Sequence, residues 1–287
     1  MTRRFRRGVF RRCTVVVGAH HGAMSESADS PPGQPGLGSR SAWTRRLAGK
    51  GAWAPAAVGD ELRRLEQEFV PAWLRPTDGE NRIPAALAIL AAVVLQLSIP
   101  NRYGLHPRWL LPTLELMLLV VLTVLNPVRL TRRSTLGKYT SLLVVAAVTL
   151  DNGFSAGFLD YDIVTGKASQ DASGLLTSGA AIYLTNIIAF GLWYWEIDRG
   201  GPFVRAAGTR PHPDFLFPQM ASPELADPDW EPRFLDYLYV SFTNAVAFSP
   251  TDTMPLTRGV KALMALQSLV ALSTVGLVIA RAVNVLK

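Results

Sequence analysis

The chain has 287 residues, of which 49% are hydrophobic and only 18% charged, with mean hydropathy +0.20 and a net charge of +7. Soluble domains carry about 25% charged residues. An ordinary soluble enzyme, a disulfide scaffold and a wholly disordered chain are therefore excluded, and a multi-pass membrane protein with a polar tail remains. The single cysteine, Cys13, rules out an intrachain disulfide and a cysteine-ligated metal site.

Residues 1–82 hold 14 Lys+Arg against 8 Asp+Glu, and the remaining 205 hold 15 against 14. The basic charge thus belongs to the front of the chain. Six arginines lie between Thr2 and Arg12. A nucleic-acid reading would need a folded basic face, so attraction to anionic lipid headgroups is expected instead. Residues 25–41 are rich in Ser, Pro and Gly, and 1–57 reads as a disordered basic tail. Val58, Leu62, Leu65, Phe69 and Trp73 then recur at helical spacing, with Asp60 as N-cap. Residues 58–82 are assigned to an amphipathic helix on the membrane surface.

Apolar runs at 83–99, 110–126, 139–159 and 174–195 read as four transmembrane helices, each approaching the ~20 residues that cross a bilayer. Asp151, Asn152 and Gly153 are expected to interrupt the third. Glu115, Asp151 and Asn186 are intramembrane polar residues, and such groups are functional candidates by default. Gly153 and Gly157, and the compact Ser178-Gly179-Ala180-Ala181, suit close helix packing. Trp193-Tyr194-Trp195 reads as an interfacial aromatic anchor, followed by a turn at Asp198-Arg199-Gly200-Gly201-Pro202. Residues 234–248 are short for a span and suit a re-entrant half-helix. A long apolar run at 260–286 follows. Charge gives opposing orientations. Arg129, Arg132, Arg133 and Lys138 place one loop in the cytoplasm, whereas the acidic stretch 196–233 looks external on the same side.

The stretch Leu238-Tyr239-Val240-Ser241-Phe242-Thr243-Asn244-Ala245-Val246-Ala247-Phe248-Ser249-Pro250-Thr251-Asp252-Thr253-Met254-Pro255-Leu256-Thr257 resembles the pore module of two-transmembrane potassium channels. Over about the last 55 residues, the resemblance implies a pore helix carrying Tyr239, Ser241, Phe242, Thr243 and Asn244. It implies a filter loop at Ala247, Phe248, Ser249, Pro250, Thr251 and Asp252, and a long inner helix carrying Lys261, Gln267 and Arg281. Ser249 and Thr251 stand where that family has its filter glycines, and Pro250 fixes its own φ. The loop therefore cannot build the column of backbone carbonyls that selects potassium. Leu184-Thr185-Asn186, Trp193 to Pro202, Asp214 to Met220 and Ser249 to Thr253 also look like a family of uncharacterised bacterial membrane proteins, which implies the bacterial cytoplasmic membrane.

The fold expected is an all-α polytopic membrane protein with four transmembrane helices, a re-entrant pore helix and a long inner helix. Peripheral helices occupy 83–173 and a pore-like module 174–287. The function expected is weakly selective conduction of monovalent cations through a homotetramer in contact with membrane lipids. The alternative is a non-conducting membrane scaffold or partner subunit with six full spans. No cofactor, metal or enzymatic activity is expected. His20, His21, His106 and His212 lack metal spacing, and there is no nucleophile motif or phosphate loop.

Overall fold

The computed structural model describes residues 71–125, 135–168, 171–249 and 252–285, all within the unit Asp60–Lys287. The tail 1–57, residues 58–70, Arg129, Arg132, Arg133, Pro250 and Thr251 lie outside the described residues. The described part is mostly helical. Its longer helices are α1 (Ile83–Ser98), α2 (Leu110–Leu125), α3 (Thr135–Val164), α4 (Ala172–Ile197), α5 (Phe234–Ala247) and α6 (Arg258–Val285). Two short strands, β1 (Phe215–Leu216) and β2 (Met254–Pro255), pair antiparallel with Phe215 opposite Pro255.

Local chemistry sets the helix ends. Asn81 Oδ1 accepts from Ile83 N at 3.0 Å and Pro84 occupies the first turn of α1. Asp171 caps α4 by accepting from Ser173 N and Gly174 N. Asp236 reaches back to Arg233 N at 2.7 Å to start α5. Past α4 the chain turns sharply through Arg199 (φ 53°), Gly200 (φ 83°) and Gly201 (φ 98°). A Cβ at Gly201 would lie 3.0 Å from the Glu196 carbonyl oxygen, so the turn requires glycine there.

Three helical stretches are long and apolar enough to cross a membrane: Leu136–Val164, Ala172–Ala206 and Arg258–Val285. The first two apolar runs form helices of 16 residues each. At 1.5 Å per residue they are about 24 Å long, shorter than the ~30 Å hydrocarbon core.

Several expectations are corrected. α3 runs unbroken through Asp151, Asn152 and Gly153. Both polar side chains are buried, and the helix continues through them. Gly153 and Gly157 face open space and pack nothing closely. The close crossings are at Gly179, within the compact stretch expected to pack closely, and at Gly191. A Cβ on Gly179 would lie 2.8 Å from Val278 of α6, and one on Gly191 would lie 3.1 Å from the Leu238 Cα of α5. Of the segment read as an amphipathic helix, residues 58–70 lie outside the described residues, and 71–82 hold a 3-10 turn at Ala72–Leu74. There the Trp73 ring lies 5.4 Å from the Arg199 guanidinium. Tyr194 and Trp195, read as an interfacial anchor, are 0% and 4% exposed.

α4 is the spine, packing against α1, α3, α5 and α6. α5 starts near its C-terminal end, where the Phe234 ring meets the Trp195 ring edge-on at 5.9 Å. It runs antiparallel to α4, so that Ser241 Oγ donates to the Ile187 carbonyl at 2.7 Å. The chain then returns. Leu256 N donates to the Asp214 carbonyl at 2.8 Å, and Asp214 itself is held by Asp198 at the end of α4. α6 runs back along α4, with Val278 against Gly179. Thus α5 and its following loop enter and leave at the same end of the bundle.

Candidate functional site

Polar residues of α4, α5 and α6 converge on one side chain. Gln267 of α6 is fully buried. Its Nε2 donates to the Ser241 carbonyl at 2.9 Å and to Ser241 Oγ at 2.7 Å. Its Oε1 accepts from Tyr194 Oη at 2.5 Å and from Asn244 Nδ2 at 2.8 Å. Asn244 Nδ2 also donates to the Met264 carbonyl at 3.0 Å, and Asn186 Nδ2 to the Gln267 carbonyl at 3.4 Å. The hub therefore joins α4, α5 and α6. It exists because each helix brings a polar group into an apolar interior where an unpaired one is costly.

The other residues assigned to the pore helix divide by face. Tyr239 and Phe242 are 54% and 49% exposed, and with Leu235 and Val246 they form an outward apolar stripe. Thr243 is half-buried and donates to the Val240 carbonyl at 3.0 Å. The loop residues Ala247, Phe248, Ser249 and Asp252 are exposed. Phe248 ends α5 in the left-handed conformation (φ 55°), a position that favours glycine. Beside it opens a groove of about 600 Å³ lined by Asn244, Phe248, Ser249, Lys261, Ser268 and Leu272, among others. Among its described lining residues the one formal charge is the Lys261 ammonium.

A second polar group closes the end of the module. Asp198 is fully buried and accepts from Tyr237 Oη at 2.6 Å, from Asp214 N at 2.8 Å and from Phe215 N at 3.3 Å. Arg205 donates to the Trp195 and Asp198 carbonyls at 2.6 and 3.0 Å and lies 5.0 Å over the Tyr237 ring. Arg205 also pairs with Glu80 at 3.4 Å. Glu80 accepts from Trp195 Nε1 at 2.6 Å and from Phe234 N as well. Burial holds the Glu80 carboxyl above its ordinary value even though Arg205 and these hydrogen bonds pull it down. This latch ties the segment before α1 to the ends of α4 and α5.

Of the polar residues expected to lie within the membrane, Asn186 joins the hub. Glu115 and Asp151 lie together elsewhere, among α1, α2 and α3. Glu115 is fully buried, and its Oε1 accepts from Gln96 Nε2 at 3.2 Å. Among the described residues no group of three or more His, Cys, Asp or Glu side chains is placed to hold a metal ion.

Reasoning from the sequence missed Tyr194 as a hub member and missed Glu80 and Arg205 altogether. A signal for the hub was present. Gln267, Asn244, Asn186 and Ser241 are isolated polar residues in three apolar runs, and buried polar groups must find one another. Glu80 lies outside every apolar run, so nothing local marks it as buried. Comparisons with family models, with curated proteins and with solved structures find no match to the chain.

Proposed function

We propose that the chain is a multi-pass protein of the bacterial cytoplasmic membrane whose part from α4 to α6 is a channel-like pore subunit. In this reading four copies surround an axis. α4 is the outer helix, α5 the re-entrant pore helix and α6 the inner helix, while α1 to α3 are peripheral. Monovalent cations pass with weak selectivity. The observation that carries the reading is the path of α5, which descends along α4, hangs on Gln267, and returns its loop to the end it came from. The uncovered face of α6 adds support. Only 28% of its apolar window is buried within one chain, against 67% for α4. Leu266, Leu269 and Leu272 stay exposed, leaving a face that neighbouring copies would cover.

The test is the protein mass of the purified particle in detergent, by light scattering with the detergent subtracted, followed by ion flux in vesicles. A tetramer that conducts, with lower cation flux in Asp252→Asn, is the expected result. A monomer or dimer leaves no ring of loops and removes the proposal. One observation favours a second reading, a non-conducting scaffold or partner subunit: the Lys261 ammonium lines the groove beside the loop and repels cations there. Lys261→Gln separates the two, raising cation flux in a pore and leaving it at background in a scaffold.

A further inference from the structure

Glu115 and Gln96 present half of a hydrogen-bonded ring. Gln96 Nε2 donates to Glu115 Oε1 at 3.2 Å. The other two atoms of the same two groups, Glu115 Oε2 and Gln96 Oε1, are buried and have no hydrogen-bond partner. The residues are 0% and 2% exposed. Both orphan atoms are acceptors while the carboxyl is ionised, and two acceptors cannot satisfy each other. A proton on Oε2 turns it into a donor and closes the amide–acid ring, satisfying both atoms at once. A buried polar pair in an apolar surround requires such an explanation.

The charged groups that face the pair come from each neighbouring element. α1 contributes no charge, only Gln96. From α3, the Asp151 carboxyl acts on Glu115 through space. From the turn before α2, the Arg108 guanidinium acts on Asp151. Arg108 is only partly buried, and it donates to Asn101 Oδ1 at 3.1 Å and to the Gln96 carbonyl, beside the pair. Glu115 is the sixth residue of α2, about 8 Å in from its start at 1.5 Å per residue. The Arg108 end is thus the short way to water.

We propose that Glu115 and Gln96 form a proton-binding site inside the bundle, with the proton held on Glu115 Oε2, donated to Gln96 Oε1, and exchanged with water at the Arg108–Asp151 end. Nothing in this site depends on the pore reading, since it lies among the peripheral helices.

Dicyclohexylcarbodiimide, which modifies protonated carboxyls in apolar surroundings, tests it on the full chain in phosphatidylcholine vesicles. The adduct is located by mass spectrometry. Modification of Glu115 is expected at acidic pH, falling about tenfold per pH unit once the proton is released. Glu115→Gln should abolish the adduct, and sodium chloride exchanged for choline chloride should leave it unchanged. In Gln96→Leu, with helicity checked by circular dichroism, the pH of half-modification should move by about one unit. Absence of the adduct at every pH, a profile flat with pH, or an unmoved midpoint in Gln96→Leu would each overturn the site. Suppression by sodium would make it a metal-cation site instead and overturn the proposal equally.

Discussion

Replacing Gln267 by Leu isolates the contribution of the hub. Leucine keeps most of the volume, so little cavity is created, but the four side-chain hydrogen bonds of Gln267 are lost. Asn244 retains the Met264 carbonyl and Ser241 Oγ retains the Ile187 carbonyl. The Tyr194 hydroxyl is left buried without its acceptor. A stranded buried partner costs about 1–3 kcal/mol in soluble proteins, and interhelical hydrogen bonds in membranes average about 0.6 kcal/mol and reach about 1.7. With several bonds lost and one hydroxyl orphaned, destabilisation of about 2–4 kcal/mol is expected. The assay is equilibrium unfolding in mixed micelles, followed by helicity as the denaturing detergent is increased. Ser268→Ala is the control. Its hydroxyl makes one long contact of 3.5 Å, so a change under about 0.5 kcal/mol is expected. In a double-mutant cycle with Asn244→Ala the two sites should couple by more than about 0.5 kcal/mol. A Gln267→Leu protein as stable as the control would show that α5 is not held by this side chain.

Three further outcomes follow from the same geometry. Asp198→Asn replaces an acceptor that three donors face with an amide that brings its own N–H groups; a loss of about 2 kcal/mol or more is expected in the same unfolding assay. Glu80 gives a pH dependence. Its folded-state carboxyl binds protons more tightly than the unfolded one. Its contribution is therefore fully present below the unfolded value of about 4.5 and lost as pH rises through the folded one. The stability difference between wild type and Glu80→Gln should fall with pH across that window; a difference constant with pH would refute the burial argument. Gly191→Val forces a side chain against the Leu238 backbone and should cost about 1–3 kcal/mol, more than the same change at the open Gly157.

The extents of the helices were legible because apolar run length is a one-dimensional property. The expected runs 83–99, 110–126, 174–195 and 260–286 each agree with a helix to within two residues at either end. Partners were not legible, because they are separated in sequence. Trp195 meets Glu80 across 115 residues, and Tyr194 meets Gln267 across 73. An aromatic cluster at the end of an apolar run fits an interfacial anchor equally well by composition, and only the acceptors on other segments distinguish a buried latch from it. The continuity of α3 escaped notice for a similar reason. Asp151 reads as a breaker when its surroundings are taken to be lipid, and as a buried polar residue once Arg108 and Glu115 are seen to face it.

In a helix surrounded by lipid the hydrophobic face does not point inward, since lipid tails are as apolar as leucine. The inward faces of α4 are marked instead by its polar residues. Asn186, Tyr194 and Asp198 fall on one stripe at multiples of four residues, and all three reach toward α5 or α6 or the chain joining them. Trp193 and Glu196, three apart, mark the face toward α3, where they meet Thr149 and Ser141. One helix thus carries two polar stripes, each addressed to a different neighbour, and the apolar residues between them fill space without choosing a partner. The same rule orients α5. Ser241 and Asn244 turn inward to Gln267, and Tyr239 and Phe242 are thereby left facing outward. That outward face is the part of α5 from which the oligomer, if four-fold, would be built, so substituting Phe242 should change the particle mass in detergent while leaving the hub and the stability of the single chain intact.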